Sequence, residues 1–152
     1  MTCDDKPEVM RLLRALPEFE SPEIAVAEEV IDSHLDNPSG SGYHIQVAEV
    51  DSAVAGYICY GPAPLTEGTW NLYWLAVSAE KQGKGIGSAL MTFAEDEIRK
   101  AEGRLIIIET SSKPGYGKTR RFYLDQGYEI VGCVPDFYTH GDDKLILRKR
   151  LG

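Results

Sequence analysis

Several features are scarce in this chain, and each scarcity excludes a class of function. Cysteine occurs only at Cys3, Cys59 and Cys133, an odd number at wide spacing that makes neither a disulfide framework nor a zinc knuckle. Reduced thiols, and with them a cytoplasmic location, are the expectation. Histidine occurs only at His34, His44 and His140, with no ligand pair among them, so no metal site is expected. No apolar run is long enough to span a bilayer as a helix. Basic residues are outnumbered, 16 Lys and Arg against 24 Asp and Glu, for a formal net charge of -8. A nucleic-acid binder needs a basic face to neutralise phosphates, and an anionic membrane makes the same demand, so neither is an expected partner. An acidic surface favours a cationic or neutral ligand instead. The opening Met1–Lys6 stretch is polar and acidic, unlike a secretion signal. No repeat, linker or low-complexity segment divides the chain, and residues 1–152 read as one domain.

What is present is a change of hydrophobic period along the chain. Val9, Met10, Leu12, Leu13 and Leu16 fall at helical spacing and end at Pro17. Ser21-Pro22-Glu23 resembles an N-cap followed by proline at the first helical position, and Ile24, Ala27, Val30, Ile31 and Leu35 supply the buried stripe of a second helix. Three strand patterns follow: Tyr43 to Ala48, Val54 to Tyr60 and Trp70 to Val77. Their short links make them antiparallel. Ile86, Leu90, Phe93, Ala94, Ile98 and Ala101 then mark one face of a helix that ends near Gly103. The run Leu105–Ile108 reads as a central strand buried on both faces, parallel to the strand before the helix. A short helix over about 118–126, stopped by Gly127, precedes two final strands, Tyr128–Val134 and Lys144–Lys149.

The chemistry is concentrated in Gln82-Gly83-Lys84-Gly85-Ile86-Gly87-Ser88, between a strand and a helix. The first turn of a helix has unpaired N–H groups and positive potential, and glycines let that backbone approach a phosphate closely. With Lys84 adding a cation, the turn suits a diphosphate. Two rival phosphate motifs fit poorly. The dinucleotide fingerprint accepts Gly83 and Gly85 but needs glycine where Ser88 stands, and it does not expect antiparallel strands upstream. The P-loop pattern ending in Gly117-Lys118-Thr119 needs glycine where Ser112 stands.

Two motifs together resemble the GNAT acetyltransferase superfamily. The first is Leu75-Ala76-Val77, a short link, then Gln82 to Gly87, matching Q/R-x-x-G-x-G/A. The second is Phe122-Tyr123-Leu124-Asp125-Gln126-Gly127-Tyr128, matching F-Y-x-x-x-G-F/Y. The resemblance covers about residues 43 to 150. It implies an α/β (α+β) fold: a mixed sheet of about six strands, antiparallel at the N-terminal side, with a splayed parallel pair and four flanking helices. No strand is evident before the first helix, so the sheet is expected to be one strand short of the family pattern.

By the same resemblance the chain takes acetyl-CoA as acyl donor and passes the acyl group by direct attack to a primary amine of a small molecule, amino acid or peptide. A non-catalytic acyl-CoA-binding module is the alternative, and a longer acyl chain stays open. Leu75, Ala76 and Val77 would pair with the pantetheine arm, and Gln82, Gly83, Lys84, Gly85, Ile86, Gly87 and Ser88 would hold the pyrophosphate. Tyr123 matches the proton donor to the departing thiolate. Many relatives carry a glutamate where this chain has Asn71, which leaves Glu109, and after it Glu67, as the base. Tyr116 stands where relatives often place a cofactor-binding asparagine and could stack beside the pantetheine or the acceptor instead; Thr119 and Arg120 open the same helix and are candidates to contact the cofactor's distal part, against the more ordinary reading of a solvated helix start. Acceptor selection is expected in the first helix–loop–helix, in Trp70 to Trp74 and in Pro135 to Asp143, with Trp74, Asp136 and Tyr138 as the acceptor-side candidates. Asp142 and Asp143 could also attract an ammonium group, but turn chemistry favours reading them as solvated acids of a hairpin turn. A homodimer is possible within the family pattern.

Overall fold

Pro22 and the aliphatic stripe behind it start a helix, but one residue from the expected place. In the computed structural model, which describes all residues Met1–Gly152, α1 spans Lys6–Ala15 and α2 spans Ser21–Asp36. Glu20 holds the N-cap position and Ser21 is already helical, with no side chain capping the end. The proline therefore occupies the second helical position, where its missing N–H is still one that the helix leaves unpaired.

The strands are β1 (His44–Val50), β2 (Ala53–Pro62), β3 (Thr69–Val77), β4 (Leu105–Ser111), β5 (Glu129–Thr139) and β6 (Asp142–Arg150). Helix α3 (Ile86–Lys100) joins β3 to β4, and α4 (Gly117–Asp125) joins β4 to β5. The sheet order is β1-β2-β3-β4-β6-β5. Only the β3–β4 pair is parallel, as the helical crossover between them requires. Asp51 and Ser52 turn the first hairpin with both φ angles positive, 53° and 64°, the backbone of a two-residue turn that matches strand twist. No strand precedes α1, and no helix is long and apolar enough to cross a membrane.

Helices cover both faces of the sheet, but unevenly. One core gathers α1, α2 and the Ile45, Tyr57, Cys59 and Ala76 face of β1, β2 and β3. The other gathers α3 with Ile58, Tyr60, Trp70, Leu72, Ile106, Ile108, Tyr123, Tyr128 and Leu147. The strand buried on both sides is β2, where every residue from Ala55 to Gly61 is buried. The expectation had given that place to β4. In the Leu105–Ile108 run only Ile106 and Ile108 are fully buried, while Leu105 and Ile107 are half-covered and the next residue, Glu109, is exposed. The reason is that α1 and α2 lie against β1 and β2 and do not extend over the second half of the sheet. That uncovered face becomes the site.

Helix α3 also departs from its expected stripe. Phe93 is substantially exposed, whereas Met91 and the charged Glu95 are buried. Glu95 survives there because its carboxylate is fully partnered. Lys149 Nζ donates to both of its oxygens at 3.0 and 2.9 Å, and Tyr128 Oη donates at 3.2 Å. The same lysine also donates to the carbonyl of Gln126 at 2.9 Å. Removing one partner of such a cluster strands the others, so Glu95→Ala should lower stability by about 2–3 kcal/mol, read from urea unfolding.

Buried acidic hydrogens set the alkaline limit of the fold. Burial pushes the Cys59 thiol up to about 12 from 9.0 and the Tyr60 phenol up to about 12 from 10.0. Burial raises Tyr57, Tyr123 and Tyr128 in the same direction. The unfolded chain ionises these groups near their ordinary values while the folded chain keeps them neutral. Stability is therefore fully present below about pH 9 and falls above it, by up to about 1.4 kcal/mol per pH unit for each group ionised only when unfolded. Urea midpoints between pH 7 and 11 should hold level and then drop steeply.

Candidate active site

Strands β3 and β4 begin together and then part. Their pairing runs from Thr69 opposite Leu105 to Leu72 opposite Ile108 and stops. On its other edge β3 continues beside β2, but the register jumps: Cys59 faces Trp74 and Tyr60 faces Leu72. Tyr73 is thus an extra residue without a partner. Such a bulge bends its strand and increases the local twist. It bends β3 away from β4 at the point where their pairing ends. Strand β4 is held on its far side by β6 along its whole length, Leu105 to Ser111. Between the two strands opens a cleft of about 760 Å³, within the size range of small-molecule sites.

The cleft collects seven of the residues expected from the sequence, and none of the glycine turn. Trp74 and Leu75 form one wall, Glu109 the other, and Tyr116, Thr119 and Tyr123 come from α4 and the turn before it. Tyr138 closes it from β5. A shallower groove of about 210 Å³ continues over Asn71, Tyr73, Ile107 and Glu109 on the uncovered sheet face. Ala76 and Val77 continue β3 beyond the bulge, paired to β2. Asp136 stands apart. Its Oδ1 accepts the Gly141 N–H at 2.7 Å and its own N–H donates to Asp143 at 2.9 Å, so it shapes the β5–β6 hairpin tip outside the cleft walls. Glu67 lies before β3, at the end of the strand away from the cleft.

The glycine turn sits at the C-terminal end of β3. Gly85 is the N-cap of α3 in the left-handed conformation, φ 84°, and Gly83 has φ 77°. A side chain at either would meet nothing within 4 Å, so backbone conformation rather than space requires glycine there. Gly87 is different: a Cβ would come within 3.2 Å of the Phe122 ring, which locks α3 against α4. Gln82 folds back to donate to the Val77 carbonyl at 3.1 Å, fixing the turn to the strand end. The Ser88 hydroxyl accepts from Gln126 at 2.9 Å. No side chain caps α3, so the N–H groups of Ile86, Gly87 and Ser88 are left without a capping hydrogen bond at the helix end.

Tyr123 is buried at 5% exposure, yet its hydroxyl has no protein partner and is not among the fully sealed polar atoms. It opens on the cleft. Burial alone raises its pKa, so the phenol keeps its proton throughout the neutral range. Glu109 is held by Lys144 at 2.9 Å, and that ammonium lies 3.7 Å from the centre of the Phe137 ring. The pair uses one carboxylate oxygen of Glu109 and leaves the other free. Tyr116 donates to Glu23 at 2.9 Å and reaches the Glu18 carbonyl at 3.0 Å, tying the start of α4 to the α1–α2 connection. Arg120 donates to the carbonyls of Ser111 and Lys113 at 2.8 and 2.7 Å, a structural clamp rather than a free cation.

Asp142 overturns its expected role. It is 3% exposed, accepts from Ser111 Oγ and faces Lys113 Nζ at 3.6 Å, on the cleft wall. Only His140 and Gly141 form the turn, so Asp142 already belongs to β6 and points into the molecule. Glu18, Glu23, Ser111 and Lys113 also border the cleft without having been singled out. Their signal was absent because it depends on loops that meet only in the fold.

A family model for the acetyltransferase (GNAT) domain matches residues 41–130. The chain belongs to the GNAT acetyltransferase family. It is 32% identical over 105 residues to an uncharacterized N-acetyltransferase of Methanocaldococcus jannaschii, a match covering 68% of this chain and 64% of that relative. A crystal structure from Desulfovibrio desulfuricans, described as of the GNAT family, is 40% identical, with a TM-score of 0.95 over 99% of this chain and 94% of that one. An aminoglycoside 6'-N-acetyltransferase complexed with coenzyme A shares the fold at 22% identity, with a TM-score of 0.74, covering 95% of this chain and 89% of that one. The mixed six-stranded sheet and four helices agree with this GNAT fold.

If the turn at Gly85 is held by its left-handed backbone, Gly85→Ala should cost about 1 kcal/mol of stability. Urea unfolding of the variant measures that loss.

Proposed function

We propose that the chain is an acetyl-CoA-dependent N-acetyltransferase acting on a primary amine. The observation that carries this is the splay after Leu72 and Ile108, which leaves the β3 edge beyond Tyr73 without a strand partner inside a cleft. An extended amide-bearing arm can add to such an edge by main-chain hydrogen bonds. Past the C-terminal end of β3 the uncapped N–H groups of Ile86 to Ser88 and the Lys84 ammonium suit a pyrophosphate. At the cleft floor the Tyr123 hydroxyl is free to donate.

In this reading the neutral amine attacks the thioester carbonyl. A C–N bond forms, the C–S bond breaks, and the proton lost by the nitrogen is balanced by one gained at sulfur. Tyr123 donates a hydrogen bond to that sulfur. Its raised pKa makes it a poor proton source before reaction, so its contribution is greatest as thiolate charge develops. The free oxygen of Glu109 is the group best placed to accept the proton from the amine, directly or through water, and Lys144 fixes its orientation. The nearby amide of Asn71 donates to Tyr73 Oη at 3.4 Å and has no basic role.

Incubation with acetyl-CoA and a panel of amines, followed by thiol release, tests the reading. Binding without turnover on a broad panel would assign the cleft to acyl-CoA sensing. Absence of any acyl-CoA binding would sink the proposal. Tyr123→Phe should lower kcat by about 100-fold, the lower range for a positioned acid, with the Kd for acetyl-CoA almost unchanged. A collapse of affinity instead would make the tyrosine a packing residue.

A further inference from the structure

The charges around the cleft are unequal, and this bears on the acceptor. Five carboxylates border it: Glu18, Glu20, Glu23, Glu109 and Asp142. Two ammonium groups answer them, Lys113 beside Asp142 and Glu20, and Lys144 on Glu109. Three negative charges are left over. The surplus is concentrated where the α1–α2 connection meets the cleft. Glu18 and Glu23 are half-buried there. Neither has a cationic partner, and the only group bonded to the Glu23 carboxylate is the neutral phenol of Tyr116. Partly desolvated carboxylates without a counter-charge are unfavourable until a cation arrives.

These groups converge on one space. Tyr138 has its pKa raised by burial first and then by the charges of Glu109, Asp142 and Glu23, which come from three different elements. Tyr116 and Tyr138 add aromatic surface to the same cleft, and aromatic faces attract ammonium groups. The Tyr116 hydrogen bond holds the Glu23 carboxylate in place before any ligand binds, which reduces the ordering cost of binding. The tie from Tyr116 to Glu18 and Glu23 also bridges two walls of the cleft, a geometry that suits a compact acceptor better than a continuous peptide.

We infer that the acceptor is a small molecule with at least two amino groups. One, as the free amine, takes the acyl group beside Glu109; the other remains an ammonium ion held by Glu18 and Glu23. The inference rests on the acyl-transfer reading and adds the class of substrate to it. Only the reacting nitrogen changes: it forms the C–N bond and its proton balances the thiol, while the remote ammonium is untouched.

The test compares linear terminal diamines with monoamines of equal chain length, following thiol release from acetyl-CoA. Wild-type protein should show kcat/KM for diamines at least about tenfold higher, in line with one or two partly screened ion pairs. The preference should shrink as salt is raised. In the double variant Glu18→Gln, Glu23→Gln the ratio of diamine to monoamine kcat/KM should fall towards one. Equal use of monoamines by the wild-type protein would overturn the inference, as would a preference that survives in the double variant. The wild-type comparison stands even if the variant does not fold. Release with amines of both kinds at equal efficiency would defeat this inference alone, whereas no acyl-CoA binding and no release with any amine would defeat the acyl-transfer reading beneath it.

Discussion

Everything at the site depends on one extra residue in β3. Between Trp74 and Leu72 the strand carries Tyr73, which β2 has no residue to match. The strand must bend there, and it bends away from β4 just past the last parallel pair. The opening is inexpensive because each strand keeps its other neighbour. Strand β3 stays paired with β2 up to Val77, and β4 with β6 up to Ser111. What is given up is one set of edge hydrogen bonds facing the cleft. Those groups are the ones a ligand can satisfy, so the defect in the sheet and the capacity to bind are the same feature.

A gap between strands would be of little use if its walls were loose. Here the walls are held by polar ties at their ends. Arg120 clamps the carbonyls that follow β4, and Ser111 bonds Asp142 across to β6. Tyr116 reaches over to the α1–α2 connection. Each tie contributes modestly to stability. Together they fix the relative positions of Glu109, Tyr123 and Tyr138, which come from three separate elements. Packing of Gly87 against Phe122 does the equivalent for the glycine turn, setting the start of α3 close against α4.

The fold was legible where the signal was local. Local pattern marked all four helices and six strands, and of the two motifs the Phe122-Tyr123 pair places one residue, Tyr123, on the cleft. Errors arose where placement depends on distant parts of the chain. Leu105–Ile108 is apolar throughout, but whether both faces are buried depends on how far α1 and α2 extend, which no pattern inside β4 records. Asp142 looked like a turn acid because Gly-Asp-Asp favours turns; its burial depends on Ser111, 31 residues earlier. Glu95 sits on the core side of α3 because Lys149 and Tyr128 come to meet it from β6 and the end of α4. Residues that are polar by type and buried by partnership cannot be read from periodicity.

The glycine turn and the cleft rim carry opposite electrical character, and under the proposed function that has a consequence for how two substrates would be placed. The α3 N-terminus with Lys84 is positive, while the rim at Glu18, Glu23 and Asp142 is negative. A diphosphate bound at the acidic rim would be repelled, and so would an ammonium at the glycine turn. Under the proposed function each substrate would be guided to its own pole, and the reacting groups would meet between them, beside Tyr123 and Glu109. In that middle ground the charges of the protein nearly cancel, since Glu109 is matched by Lys144 and Tyr123 is neutral. A neutral amine and a neutral thioester can approach there without the penalty that either pole would impose on the wrong ion. That polarity would separate recognition, at the two poles, from chemistry, between them.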